Sequence, residues 1–172
     1  MGGCHYTMNY RLELNKDKSI GNVLFIVEGN KTEMDMIGHI FGTLLNYECE
    51  KLDRKGKYYR YQNKTNPYSR VFVINTEKTN ISNIRDGQEY LDKIYEEFIN
   101  EYHFPVDRSA IYYIFDRDSR SNREADVIKE LLGELANARD NEESYVQGLL
   151  LLSYPAIKTF ILSNFKEVQQ LK

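Results

Sequence analysis

Tryptophan is absent from this 172-residue sequence, and cysteine, histidine and proline are scarce, with two, three and three copies. Cys4 and Cys49 lie far apart and make no CxxC pair. That excludes a disulfide framework and a thiolate zinc site, and it fits a reducing, cytoplasmic setting. His5, His39 and His103 have no ligand spacing either. A bound metal would have to take carboxylate oxygens, which favours Mg²⁺ or Mn²⁺ over Zn²⁺. No apolar run approaches the length of a membrane span, so no membrane partner is expected. Residues Met1 to Ser19 carry charge but not the apolar centre of a signal peptide. Met1-Gly2-Gly3-Cys4-His5-Tyr6 lacks the Ser or Thr that myristoylation needs at the sixth place. A charge excess is missing too: 23 basic against 26 acidic residues leave a net charge of −3. Nucleic acid would have to be met through one local basic patch or through bound metal.

What is present is a globular composition, 41% hydrophobic and 28% charged, long enough for one domain with a real core. Apolar runs alternate with helical periodicity, the pattern of an α/β domain built on a mainly parallel sheet. Val23 to Val27 is a continuous β-branched and aromatic run, as in a strand buried on both faces. Ile37, Ile40, Phe41, Leu44 and Leu45 follow at helical spacing. Val71 to Ile74 precedes a helix marked by Leu91, Ile94, Tyr95, Phe98 and Tyr102. Ala110 to Phe115 precedes one marked by Val127, Ile128, Leu131, Leu132 and Leu135. Gly148 to Leu152 leads into a last helix with Ile157, Phe160, Ile161 and Phe165, and Pro155 suits its first turn. The expectation is a four-stranded sheet flanked by four helices over residues 22–166, with an N-terminal extension at 1–21 and a tail at 167–172. Residues 54–70 break the rhythm. They hold six Lys or Arg, four Tyr and no acid, and read as a loop or small hairpin inserted after the first helix.

Open parallel sheets bind ligands beyond the carboxyl ends of their strands. The first run leads directly into Glu28-Gly29, and the third into Asp116-Arg117-Asp118-Ser119. Asp116 and Asp118 stand two apart, so in an extended segment their carboxylates share a side. If the first and third strands are neighbours, three carboxylates meet across one groove, and a divalent cation relieves their repulsion. Gly29-Asn30-Lys31-Thr32 fails as a phosphate-binding P-loop, because the upstream glycine is missing and Asn30 stands before the Lys.

These residues carry a family resemblance. Glu28-Gly29 after a first strand and Asp116-Arg117-Asp118 after a third resemble the Toprim domain of topoisomerases, primases and OLD-type nucleases. Phe25 to Glu33 is similar to the EGxxTE opening of RloB-like and OLD-like nucleases, many linked to phage defence. Leu152 to Phe160 resembles the Ser-x-Pro element that closes that domain. The resemblance implies a Rossmann-like Toprim fold and a Mg²⁺-dependent nuclease. It gives Glu28 a proton-transfer or metal-associated role, makes Asp116 and Asp118 metal ligands, and has Glu33 hold a second metal. Two cations about 4 Å apart neutralise a phosphodiester and activate a water. Crowding by other carboxylates favours the protonated form of Glu28, which suits it to proton transfer. Lys158 departs from the pattern, standing where these relatives carry Glu, so a second-metal ligand is lost or a cationic phosphate contact replaces it. Glu33 has a plainer reading as an acid offsetting a helix dipole, and Lys158 one as a solvated helix residue.

Lys31, Lys57, Arg60, Arg117 and Lys158 are the candidate nucleic-acid contacts, with Tyr58, Tyr59 and Tyr61 as stacking surfaces. The plainer reading of 54–70 is a solvated loop. OLD-type nucleases carry an ATPase domain, whereas this sequence has no Walker motif. The ATPase would then be a separate subunit or part of a longer chain; nucleic acid and a second copy of this chain are the other expected partners, and a non-catalytic Toprim-like module is the alternative function. Phe115 to Ser119 also resembles the DxDx(T/S) nucleophile motif of haloacid-dehalogenase-type phosphatases. There the motif follows the first strand, and no matching downstream Asp pair is found here.

Overall fold

The computed structural model describes residues 18–29, 31–76, 88–117, 125–139 and 148–153. The chain begins with β1 (Asn22–Val27), then α1 (Thr32–Ile37), which runs on as a π-helical segment, Gly38–Leu44. A hairpin of β2 (Glu48–Lys51) and β3 (Tyr58–Gln62) leads to β4 (Arg70–Asn75). Then come α2 (Gln88–Tyr102), β5 (Ser109–Asp116), α3 (Ala125–Glu134), the two-residue β6 (Ala136–Asn137) and β7 (Gly148–Ser153).

Among the described residues these strands form one mixed sheet of order β2-β3-β4-β1-β5-β7-β6. The four strands read from the sequence are its centre, β4, β1, β5 and β7, all mutually parallel. The α/β class holds, while the expected four-stranded sheet needs correction. β2 and β3 add an antiparallel hairpin at one edge, and β6 pairs antiparallel with β7 at the other. Of the two readings of 54–70, loop or small hairpin, the second holds in part: β3 and the turn before it belong to this hairpin. Its period-two pattern was hidden because the apolar positions are tyrosines: Tyr58 faces one side of the sheet and Tyr61 the other, and both are buried. Neither is therefore available as a stacking surface.

Side-chain alternation splits the core in two. Leu24 and Ile26 of β1 pack with Phe72, Ile111, Tyr113 and Phe115 beneath Ile94 and Phe98 of α2 and Val127 and Leu131 of α3. Val23 and Val27 pack on the opposite face with Val71, Val73 and Tyr61 beneath Ile37 and Phe41 of the first helix. Helices thus cover both faces, which is why the central strands read as continuous apolar runs. Tyr113 is wholly buried, its hydroxyl hydrogen-bonded to that of Tyr95 at 2.8 Å. Burial pushes the Tyr95 hydroxyl up to about 12. No helix among the described residues is long and apolar enough to cross a membrane. The expected fourth helix, with Pro155, Ile157, Phe160, Ile161 and Phe165, lies outside the described residues.

The hairpin turn is organised by one carboxylate. Asp53 accepts hydrogen bonds from the backbone N–H groups of Lys55, Gly56, Lys57 and Tyr58, at 2.8–3.1 Å. Burial works to raise its pKa, but the bonds from Tyr58, Lys57, Lys55 and Gly56 outweigh it and hold the carboxyl below its ordinary 3.8. A depressed folded-state value means that the ionised Asp53 stabilises the turn fully above that ordinary value, and the contribution disappears as pH falls through the lower folded value. Asp53→Ala is expected to lower stability by roughly 1–3 kcal/mol near neutral pH. Urea melts at neutral pH and below pH 3.8 would check it, with the gap between variant and wild type narrowing in acid.

Candidate metal and phosphate site at the sheet edge

The strands that carry the acids, β1 and β5, are immediate parallel neighbours with Val27 opposite Ile114. Asp116 therefore lies two residues beyond the end of β1, level with the turn that carries Glu28. Two bonds tie the turn to β5: Glu28 donates its backbone N–H to the Ile114 carbonyl at 3.2 Å, and its Oε2 accepts the backbone N–H of Asp116 at 2.9 Å. Asp116 in turn accepts a hydrogen bond from the hydroxyl of Ser153 at the end of β7. Its register partner is that same residue, and the Arg117 N–H closes the ladder on the Ser153 carbonyl at 2.8 Å. Glu28, Asp116 and Ser153 thus form a chain of polar contacts across three adjacent strand ends.

Glu33 comes to the same turn from above. It sits in the first turn of α1, is only 5% exposed, and folds back over Gly29. A Cβ at Gly29 would overlap that carboxylate, with the Glu33 Cδ at 3.0 Å and Oε1 at 3.3 Å. Glycine leaves room for that carboxylate to approach the turn. On the other side of β1, Thr76 ties the end of β4 down by donating its backbone N–H and its hydroxyl to the Val27 carbonyl, at 3.0 and 2.9 Å.

The cations divide differently. Lys31, at the N-terminus of α1, and Arg117, just past β5, are exposed beside the acids. Lys57 lies 3.9 Å from Glu97 of α2 and over the Tyr58 ring. Arg60 is paired with Glu50 across the β2–β3 hairpin. Both are candidate phosphate contacts, and each lies within ion-pair distance of a carboxylate of its own chain. Asp118, Ser119 and Lys158 lie outside the described residues.

Among the described residues no three His, Cys, Asp or Glu side chains come together as a group that could hold a metal ion. The donors at the edge are nevertheless of the kind a hard cation takes: carboxylate oxygens of Glu28 and Asp116, and a third carboxylate at Gly29. Ser153 was part of the Ser-x-Pro signal, but its bond to Asp116 depends on β7 lying beside β5, which no local pattern announces. Compared with protein-family models, curated proteins and solved structures, the chain matches none.

Proposed function

We propose that the chain is a Mg²⁺- or Mn²⁺-dependent nuclease that hydrolyses nucleic-acid phosphodiesters with a Toprim-like edge site, acting in phage defence or nucleic-acid processing. The observation that carries this reading is the bond from the Asp116 N–H to the Glu28 carboxylate. It brings two acids 88 residues apart to adjacent strand ends, where parallel sheets hold their ligands. Glu28 and Asp116 would hold a cation together with Asp118, and Glu33 would serve a second one; the ions would neutralise the phosphate and acidify a water. Glu28, fixed by the Asp116 amide, takes the proton of the attacking water. Ser153 positions the Asp116 carboxylate, and Lys31 and Arg117 flank it to receive the anionic backbone.

The direct test is incubation of the purified protein with plasmid, single-stranded DNA and tRNA in Mg²⁺ or Mn²⁺. A second variant probes Glu33. Gly29→Ala is expected to push that carboxylate aside at a stability cost below about 1.5 kcal/mol, because the displaced atoms end a flexible side chain. Cleavage is expected to fall roughly 10²-fold, the effect of misplacing one group by about an ångström. Unchanged cleavage by a folded Gly29→Ala protein would remove Glu33 from the site.

One observation favours a second reading, that of a non-catalytic module serving an ATPase complex: the described acids make no three-membered metal group. Co-purification with an ATPase subunit, together with persistent silence of the complex in the cleavage assay, would select it.

A further inference from the structure

Beside the carboxylate edge, on the face covered by α1, an open groove of about 410 Å³ runs between that helix and the β2–β3 hairpin. Met34, Asp35 and Gly38 form one wall, and Tyr59, Tyr61 and Gly56 the other. Its volume falls within the range of small-molecule sites. We infer that this groove, with the basic hairpin turn at its rim, is a subsite for single-stranded nucleic acid that takes one unpaired base against Tyr59. The inference deepens the nucleic-acid reading of the neighbouring acids and rests on it.

Three observations converge. The first is position. β3 runs antiparallel to β4 with Tyr59 opposite Val73, and Asn75 donates its N–H to the Lys57 carbonyl at 2.8 Å. The turn therefore projects at the same end of the sheet as Glu28. Lys57 and Glu28 are separated by two strand spacings, about 10 Å. On the helix side, Met34 and Asp35 directly follow Glu33, so a strand crossing the acids reaches the groove without turning back.

The second is charge. Lys51, Arg54 and Lys55 are exposed around the turn. The only acid between Lys51 and Tyr58, Asp53, is occupied by four backbone N–H groups, which also fix the turn's shape. Lys51 stands opposite Tyr59 in the hairpin. A Cβ built at Gly56 would lie 3.2 Å from the Lys51 Nζ and 2.7 Å from the Tyr59 hydroxyl, so an ammonium and a phenol meet at one end of the groove.

The third is the chemistry of the walls. Tyr59 lines the groove and is only partly buried against the α1-side core, which makes its ring an aromatic surface there for a base of any kind. Exposed Asp35 offers an acceptor for the exocyclic amine of a base. A duplex presents no unpaired base to such a groove, and the preference for a single strand follows from that.

The experiment is fluorescence-anisotropy binding of a short labelled single-stranded DNA, its RNA equivalent and the matching duplex, in EDTA so that no cleavage occurs. Expected are tighter binding of single strand than duplex, and a loss of roughly tenfold in Tyr59→Ala, within the range for removing one stacked base. Tyr59→Phe should bind within about threefold of wild type, because the stacking face remains. Arg54→Ala/Lys55→Ala, at exposed positions, should lower the salt dependence by roughly two counter-ions without affecting folding. Duplex bound as tightly as single strand, no binding at all, or unchanged affinity in a folded Tyr59→Ala protein would each overturn the subsite. If Tyr59→Ala fails to fold, Tyr59→Phe and the double variant decide the matter. A chain that binds single strands as described but never cleaves them with metal keeps the subsite and loses the nuclease reading; cleavage with groove variants indifferent in binding does the reverse.

Discussion

Glu28→Gln and Asp116→Asn are each expected to reduce metal-dependent cleavage by roughly 10²–10⁴-fold, the usual contribution of a positioned proton-transfer group. Melting temperature should stay close to that of wild type. The reason for that contrast lies in the hydrogen bonds. A glutamine at position 28 retains a carbonyl oxygen to accept the Asp116 N–H now held at 2.9 Å. An asparagine at 116 retains one for the Ser153 hydroxyl. What both lose is the negative charge on which cation binding and proton transfer depend. Titrating Mg²⁺ separates the two roles: a defect recovered at high metal concentration assigns the residue to metal binding, and one that persists assigns it to proton transfer. Equal cleavage by wild type and both variants would mean that the observed activity comes from elsewhere in the preparation.

Gly148→Ala is expected to lower stability by roughly 2–5 kcal/mol, combining overpacking with backbone strain. Gly148 opens β7 with φ +143, a conformation L side chains rarely adopt. A Cβ there would be driven into the ring of Tyr113, with Cδ2 at 3.0 Å and the Ile111 Cγ2 at 3.3 Å on its other side. Tyr113 cannot give way. It is fully buried in β5 among Ile111, Phe115 and Leu135, and its hydroxyl is held by Tyr95. At about 2–4 °C per kcal/mol for a domain of this size, the melting temperature should drop by roughly 5–15 °C. A scanning calorimetry shift under 2 °C, well below that estimate, would mean that β7 docks on β5 differently.

The central strands were legible because both of their faces are buried. Leu24 and Ile26 serve one core while Val23 and Val27 serve the other, and double coverage turns a strand into an unbroken apolar run. The hairpin was legible only as one of two options, loop or hairpin, and its strands were not, for the opposite reason. All four residues of β2 are exposed, and β3 buries itself through Tyr58 and Tyr61, whose hydroxyls make them read as polar. The carboxylates that Lys57 and Arg60 approach, Glu97 and Glu50, come from another element or another strand, so no local pattern announces those pairs.

Composition and local pattern alone determined that this chain makes an α/β fold, that Glu28 directly follows one central strand and that Asp116 ends another. Those properties follow from residue type and from periodicity along a few turns of chain. Only the tertiary structure decided that β1 and β5 are neighbours, that Ser153 reaches Asp116, and that the hairpin joins the edge of the main sheet beside β4. Strand order is set by which helices can cover which face, and that free energy is spread over contacts between residues far apart in the chain.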